Sequence, residues 1–155
     1  MTISLLGHSL IENSSSLEED LEKIFAQLIT SNDYCSFLIG GYGMFDNLCL
    51  IKLKKLKNAY NNFEIIFVTP YLDENYSKLK VARELYDAVI FPPIEKTPLK
   101  YAILKRNEWM IINCELVICY IKTLTASRAG KFFILAKKLN KKIINLARNT
   151  TLIDL

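Results

Sequence analysis

Cys35-Ser-Phe-Leu-Ile39-Gly40-Gly41-Tyr42-Gly43-Met44-Phe45-Asp46 is the stretch on which the fold turns. Cys35–Ile39 is almost unbroken apolar sequence, the pattern of a strand buried on both faces by helices. Three glycines follow at once, and then a helix-length segment, Phe45–Tyr60, with Leu48, Ile51 and Leu56 inward and Lys52, Lys54, Lys55 and Lys57 mostly outward. Strand, glycine turn, helix is the unit of a parallel α/β sheet.

The same unit recurs on both sides. Ile3–Leu6, Ile65–Val68, Ala88–Phe91, Leu116–Tyr120 and Lys142–Leu146 read as further strands. Leu17–Ile29, Glu74–Leu85, Leu99–Asn113 and Ala129–Leu139 read as the helices between them. Ser16 with Glu19 three residues on suggests a capping box for the first helix. The order βαβαβαβαβαβ predicts a three-layer Rossmann-like α/β domain with a mainly parallel sheet, one domain over residues 1–155. The tail from Ala147 to Leu155 carries no assignment.

Composition agrees. The chain has 155 residues, 51% hydrophobic and 23% charged, which excludes a disordered or low-complexity architecture. At this length about two-thirds of the unfolded surface is buried on folding, enough for a core without staples. The formal charge of +4 does not by itself argue for nucleic acid or membrane. No apolar run reaches the ~18 residues of a spanning helix. The N-terminus lacks the basic region and apolar core of a signal peptide, so a cytoplasmic location is expected. Cys35, Cys49, Cys114 and Cys119 show no CxxC spacing beside a single histidine, His8. They read as reduced, buried hydrophobes, and neither a metal nor a cofactor is expected.

Of the five glycines and four prolines, all but Gly130 lie shortly after a predicted strand. Unusual backbone therefore gathers at the carboxyl edge of the sheet, where ligands of open α/β folds bind. Gly40–Gly43 is either a tight turn or a cradle whose N–H groups face an anion at a helix start. It is neither the G-x-G-x-x-G nor the Walker pattern. Asp46 either caps that helix or accepts a ribose hydroxyl. Gly7-His8-Ser9 occupies the first strand-to-helix turn, where a lone histidine is either structural or ligand-facing. Tyr101–Met110 gathers Lys105, Arg106, Asn107, Glu108 and Trp109. It is either an amphipathic helix with Trp109 on the core or a site in which Arg106 grips phosphate and Asn107 reads base or ribose. Thr123–Lys131, with Ser127 and Arg128, is either a phosphate pocket or an ordinary capped turn.

Taken in order, Leu6-Gly7-His8, Ile39-Gly40-Gly41-Tyr42-Gly43-Met44-Phe45-Asp46, Pro70-Tyr71-Leu72 and Lys105-Arg106-Asn107-Glu108-Trp109-Met110 resemble the SLOG superfamily. That Rossmann-like group contains the Lonely Guy phosphoribohydrolases and DNA-processing protein A, and the pattern is most similar to small bacterial SLOG proteins. The resemblance runs through Ile143–Leu146. It implies a sensor or sequestering protein for a nucleotide-derived small molecule, such as an ADP-ribose-like or cyclic-nucleotide signal in a bacterial or phage conflict system. It also implies a homodimer or higher homo-oligomer.

The alternative is a phosphoribohydrolase or ribosyl transferase of the Lonely Guy type, in which Arg106 resembles a working arginine. Those enzymes carry Pro-Gly-Gly-x-Gly-Thr-x-x-Glu after the strand matching Leu116–Tyr120. Here Ile121–Lys131 lacks the glycine pair, and no Asp or Glu occurs between Glu115 and Asp154. N-glycosidic cleavage needs a carboxylate, which only Asp46, Asp73 or Glu108 would supply. The expected ligand-binding set is Gly7, His8, Gly40, Gly41, Tyr42, Gly43, Asp46, Arg106, Asn107, Thr123, Ser127 and Arg128. DNA binding is a third class, with the lysines of 52–57 and 137–142 read more simply as solvated helix faces.

Overall fold

A computed structural model describes residues 1–11, 15–72, 77–122 and 127–147. Six strands, β1 (Thr2–Gly7), β2 (Cys35–Ile39), β3 (Phe63–Val68), β4 (Ala88–Ile90), β5 (Leu116–Tyr120) and β6 (Lys142–Asn145), alternate with five helices. The helices are α1 (Ser15–Ser31), α2 (Met44–Leu56), α3 (Ser77–Leu85), α4 (Leu99–Ile112) and α5 (Arg128–Lys138). The strands form one sheet in the order β4-β3-β2-β1-β5-β6, and every pairing is parallel. This is the α/β Rossmann-like arrangement that the sequence predicts.

Parallel pairing forces each crossover to run over a face of the sheet, so the strands must be apolar on both sides. Ile3, Leu5, Phe37, Ile39, Ile65 and Ile118 meet α1 and α2 on one side. Their neighbours Leu6, Leu38, Ile66, Val68, Val117 and Cys119 meet α4 and α5 on the other. Phe25 of α1, Phe37 and Phe63 interlock edge to face, with centroids 5.3 and 5.8 Å apart. Sheet order reverses between β1 and β5, which makes their carboxyl ends the switch point of the sheet.

Two details of the helices differ from expectation. Ser16 lies inside α1, which already begins at Ser15. Three successive serines, Ser14 to Ser16, offer equivalent capping hydroxyls, so spacing cannot register the start. In α2, Ile51 faces outward at 55% exposure while Lys52 is buried at 8%. The reason is that α2 packs on α1 as well as on the sheet, so its covered arc is wider than one stripe. Lys52 bridges to Glu18 and, at 2.9 Å, to Glu22, both on α1; Lys55 adds a 3.1 Å contact to Glu22.

These hydrogen bonds from Lys52 and Lys55 hold the Glu22 carboxyl below its ordinary value, and the bonds from Glu18 and Glu22 raise Lys52. The Glu22 contribution is therefore complete above the ordinary carboxylate range and is lost as pH falls through its depressed value. The Lys52 contribution is complete below the ordinary lysine range and is lost as pH rises through its raised value. Both glutamates remain about one-third exposed, which screens the pair. Lys52→Met is expected to lower unfolding free energy by about 1 kcal/mol at neutral pH. It should also flatten the acid limb of stability below pH ~4.5. Urea melts across the acid range check both.

Candidate functional site

The turns after β1, β2 and β5 are tied together at the carboxyl edge. The backbone N–H of His8 donates to the Tyr120 carbonyl at 3.3 Å, and its Nε2 accepts from the Lys122 N–H at 3.1 Å. The only histidine thus joins the end of β1 to the second residue after β5. On the other side the Met44 N–H donates to the Ser9 carbonyl at 2.9 Å. A Cβ on Gly43 would come within 3.0 Å of the Ser9 Cα, so the first two turns pack backbone against backbone.

Gly43 is the capping residue of α2, in extended conformation, and as a glycine it brings no side chain to the cap. Asp46 does not cap the helix in the usual sense. Its carboxylate reaches back from the first turn and accepts the Tyr42 N–H at 3.1 Å, fixing the glycine turn onto the helix. Gly41 sits at φ +71°, and a Cβ there would come within 2.7 Å of the Phe67 ring. A side chain at Gly41 is therefore strained by backbone and neighbour alike, before any ligand is considered.

Arg106 comes from α4, on the opposite face, and is drawn wholly inside at 1% exposure. Its Nη1 donates to the carbonyls of Gly40 at 2.8 Å and Val68 at 2.7 Å, the chain ends of β2 and β3. The guanidinium lies flat against Gly40, where an added Cβ would meet it at 2.6–2.9 Å, and its carbon is 5.2 Å from the Tyr42 ring centre. Gly40, Tyr42, Asp46 and Arg106 are thus one assembly, and Gly7, His8 and Gly43 form a second beside it.

Other expected residues stand differently. Asn107 is half-buried on α4, and its amide makes no hydrogen bond to a described residue. Glu108 pairs with Lys105 at 2.7 Å. Ser127 caps α5, accepting the Gly130 N–H at 3.0 Å, while Arg128 is exposed in that first turn. Thr123 and Asp73 lie outside the described residues.

Sequence reasoning missed two features of this edge. Asn145 is buried at 6% exposure, and its amide clamps the backbone of Ile121 in both directions at 3.0 Å, setting the exit of β5. Beside Gly41 a cleft of about 260 Å³ opens between α2 and α3. Asn47 and Leu50 line one wall, Val81, Ala82 and Leu85 the other, and Phe67 and Tyr86 the floor. The two rings are 5.2 Å apart. Burial pushes the Tyr86 hydroxyl up to about 12, with the Asp46 charge adding to the shift and Arg106 opposing it. None of these residues is among those the sequence singles out. The four cysteines are free and buried, and burial pushes Cys114 and Cys119 up to about 11 and about 12, which leaves them unreactive thiols.

No family profile matches this chain, and no curated protein matches it in sequence. Solved structures do match. DNA processing protein A from Helicobacter pylori, described with a single-stranded DNA binding mode, is similar over 99% of this chain and 68% of its own. The TM-score is 0.65 at 17% identity. Two structures of the molybdenum cofactor carrier protein from Chlamydomonas reinhardtii match with TM-scores of 0.56 and 0.53, at 12% and 13% identity. They cover 93% and 94% of this chain, and 74% of theirs in each case. Fold and site edge together define a Rossmann-like α/β protein. At these identities the likeness is one of fold, shared with both neighbours.

Proposed function

We propose that this chain is a SLOG-type protein that binds a nucleotide-derived small molecule across the carboxyl edge, as a sensor or sequestering protein without catalysis. The observation that carries the reading is the start of α2. A helix that starts at a glycine, entered through Gly41 in the left-handed region, stands next to the switch point of a parallel sheet. Such an end favours an anion through its partial positive charge, while the Met44 N–H is already given to Ser9 and the Asp46 carboxylate stands in the same turn. In this reading the anionic part of the ligand lies near Gly40–Gly43 and the Ser127 turn. Arg106 fixes the turn from beneath and adds its charge, and Asn107 and Asp46 read hydroxyls. A carrier of the molybdenum cofactor built on the same fold supports small-molecule binding.

Among the described residues the two candidate carboxylates are already engaged, which supports binding over cleavage. Asp46 accepts the Tyr42 N–H and Glu108 is paired to Lys105. A glycosidase needs a carboxyl group placed to protonate a leaving group, activate water or form the glycosyl bond.

The lysines of 52–57 weigh against a DNA-binding role of the kind described for the Helicobacter protein. Lys52 and Lys55 are paired to α1, and Lys57 contacts Asp87 at 2.9 Å.

The test is incubation with nucleoside monophosphates and NAD-derived ligands, followed by denaturation and mass spectrometry, alongside identification of any molecule that co-purifies. Intact nucleotide-like ligand is the expected result. Free base released at enzymatic rates overturns the reading in favour of the hydrolase or transferase. Retention of single-stranded DNA that falls steeply with salt overturns it in favour of nucleic acid.

A further inference from the structure

The cleft between α2 and α3 borders the glycine turn, and two polar side chains line it. The Tyr86 hydroxyl and the Asn47 amide make no hydrogen bond to any described residue, although both line an otherwise apolar space. Asn47 stands exposed at the rim and Tyr86 is half-buried, so the cleft offers polar groups at its edge and an aromatic face within. The floor is aromatic, with Phe67 and Tyr86 tilted 31° to one another, and the walls are the aliphatic side chains of Leu50 and Val81.

The size and chemistry of the cleft select the occupant. Drug-sized ligands fill about 300–1,000 Å³, so a space of about 260 Å³ takes one ring system rather than a whole nucleotide. Among the described residues no charged side chain lines it, which favours a neutral group. Asn47 offers donor and acceptor together, as needed to read the edge of a heterocycle, and Tyr86 stays a neutral donor across the physiological range. Gly41 lines the same cleft and belongs to the glycine turn at the start of α2.

We infer that the α2–α3 cleft is the seat of a neutral planar nitrogen heterocycle, the base of the nucleotide-derived ligand, stacked on Phe67 and Tyr86 and read by Asn47. This rests on the proposed function for the placement of the anionic part, and it gives the ligand a direction: base under α3, phosphate at the start of α2.

The test uses two kinds of probe on the full chain, followed by backbone-amide NMR. Adenosine, guanosine, cytidine and uridine at millimolar concentration report on the cleft, and ribose 5-phosphate reports on the anion site. At least one nucleoside is expected to shift the amides of Leu50, Val81 and Tyr86. Val81→Trp, made at a side chain 51% exposed, fills the cleft from the solvent side and should weaken that nucleoside about tenfold or more. Asn47→Ala, at an exposed position, and Tyr86→Phe should each weaken it about three- to tenfold. Ribose 5-phosphate should bind all variants as it binds the parent.

Nucleoside affinities unmoved by Val81→Trp and Asn47→Ala overturn the base seat and leave the proposed function standing. So does ribose 5-phosphate binding with no nucleoside binding. Nucleoside binding in the cleft with no ribose 5-phosphate binding upholds the seat and overturns the anion site. If neither probe binds, both fall. A change of sedimentation on Val81→Trp, with no nucleoside bound by the parent, assigns the cleft to a contact between copies and overturns the proposal.

Discussion

Replacing Arg106 with alanine is expected to lower unfolding free energy by about 3–5 kcal/mol, a large part of the stability of a domain this size. Three losses combine. The carbonyls of Gly40 and Val68 lose a charged donor, each such bond being worth about 1.5–3 kcal/mol. The space left above Gly40 and beneath Tyr42 is a cavity at the junction of β2 and β3. Relaxation and water entry return part of this, which keeps the sum below its gross value. Arg106→Lys should recover less than half, because an ammonium cannot lie flat on Gly40 while reaching two carbonyls. Urea denaturation of the three proteins checks this, and an unchanged midpoint for Arg106→Ala would show the buried contacts to be idle. The consequence for function is that a binding defect in Arg106→Ala must be read at low temperature, where the variant is still folded.

The framework was legible because parallel strands have to be apolar on both faces. Cys35–Ile39 and Leu116–Tyr120 emerge with the predicted bounds, and the glycines fall where strands hand over to helices. What could not be read depends on partners distant in sequence. Arg106 on a mixed helix looks solvent- or ligand-facing. Its burial requires acceptors 66 and 38 residues away, supplied by strand ends that exist only once the sheet has formed. Lys52 is similar: a lysine in a basic run reads as outward until α1 brings Glu18 and Glu22 against it. The cleft is assembled from residues of α2, β3 and α3 and from Tyr86 just after α3, and no one of these segments marks it alone. Periodicity reports that a face is covered, not whether the covering is complete.

The glycine at position 7 separates the two reasons a turn can have for glycine. By its place at the end of β1 it reads as room for a ligand. In the structure that room is taken: a Cβ on Gly7 would lie 2.5–2.6 Å from the ring and Cβ of Phe45. Phe45 has nowhere to retreat, being fully buried in the first turn of α2 and stacked on Tyr120 at 6.3 Å and 23°. Gly7→Ala is therefore expected to cost about 2–3 kcal/mol through overpacking, even though alanine suits the backbone of a strand end. The decisive measurement is a double-mutant cycle with Phe45→Leu, a smaller side chain that can draw back from the new methyl. Phe45→Leu alone should destabilise by about 1–1.5 kcal/mol as a change of core shape. The double variant should be more stable than the sum of the single losses by at least ~1 kcal/mol, since the clash disappears with the ring. Additive losses would mean that Gly7 is glycine for another reason, and ligand approach at the switch point would then be the one to test. Coupling of the expected size instead makes Gly7 the seat of α2, so that the residue governs the anion site by placing the start of that helix rather than by touching what binds there.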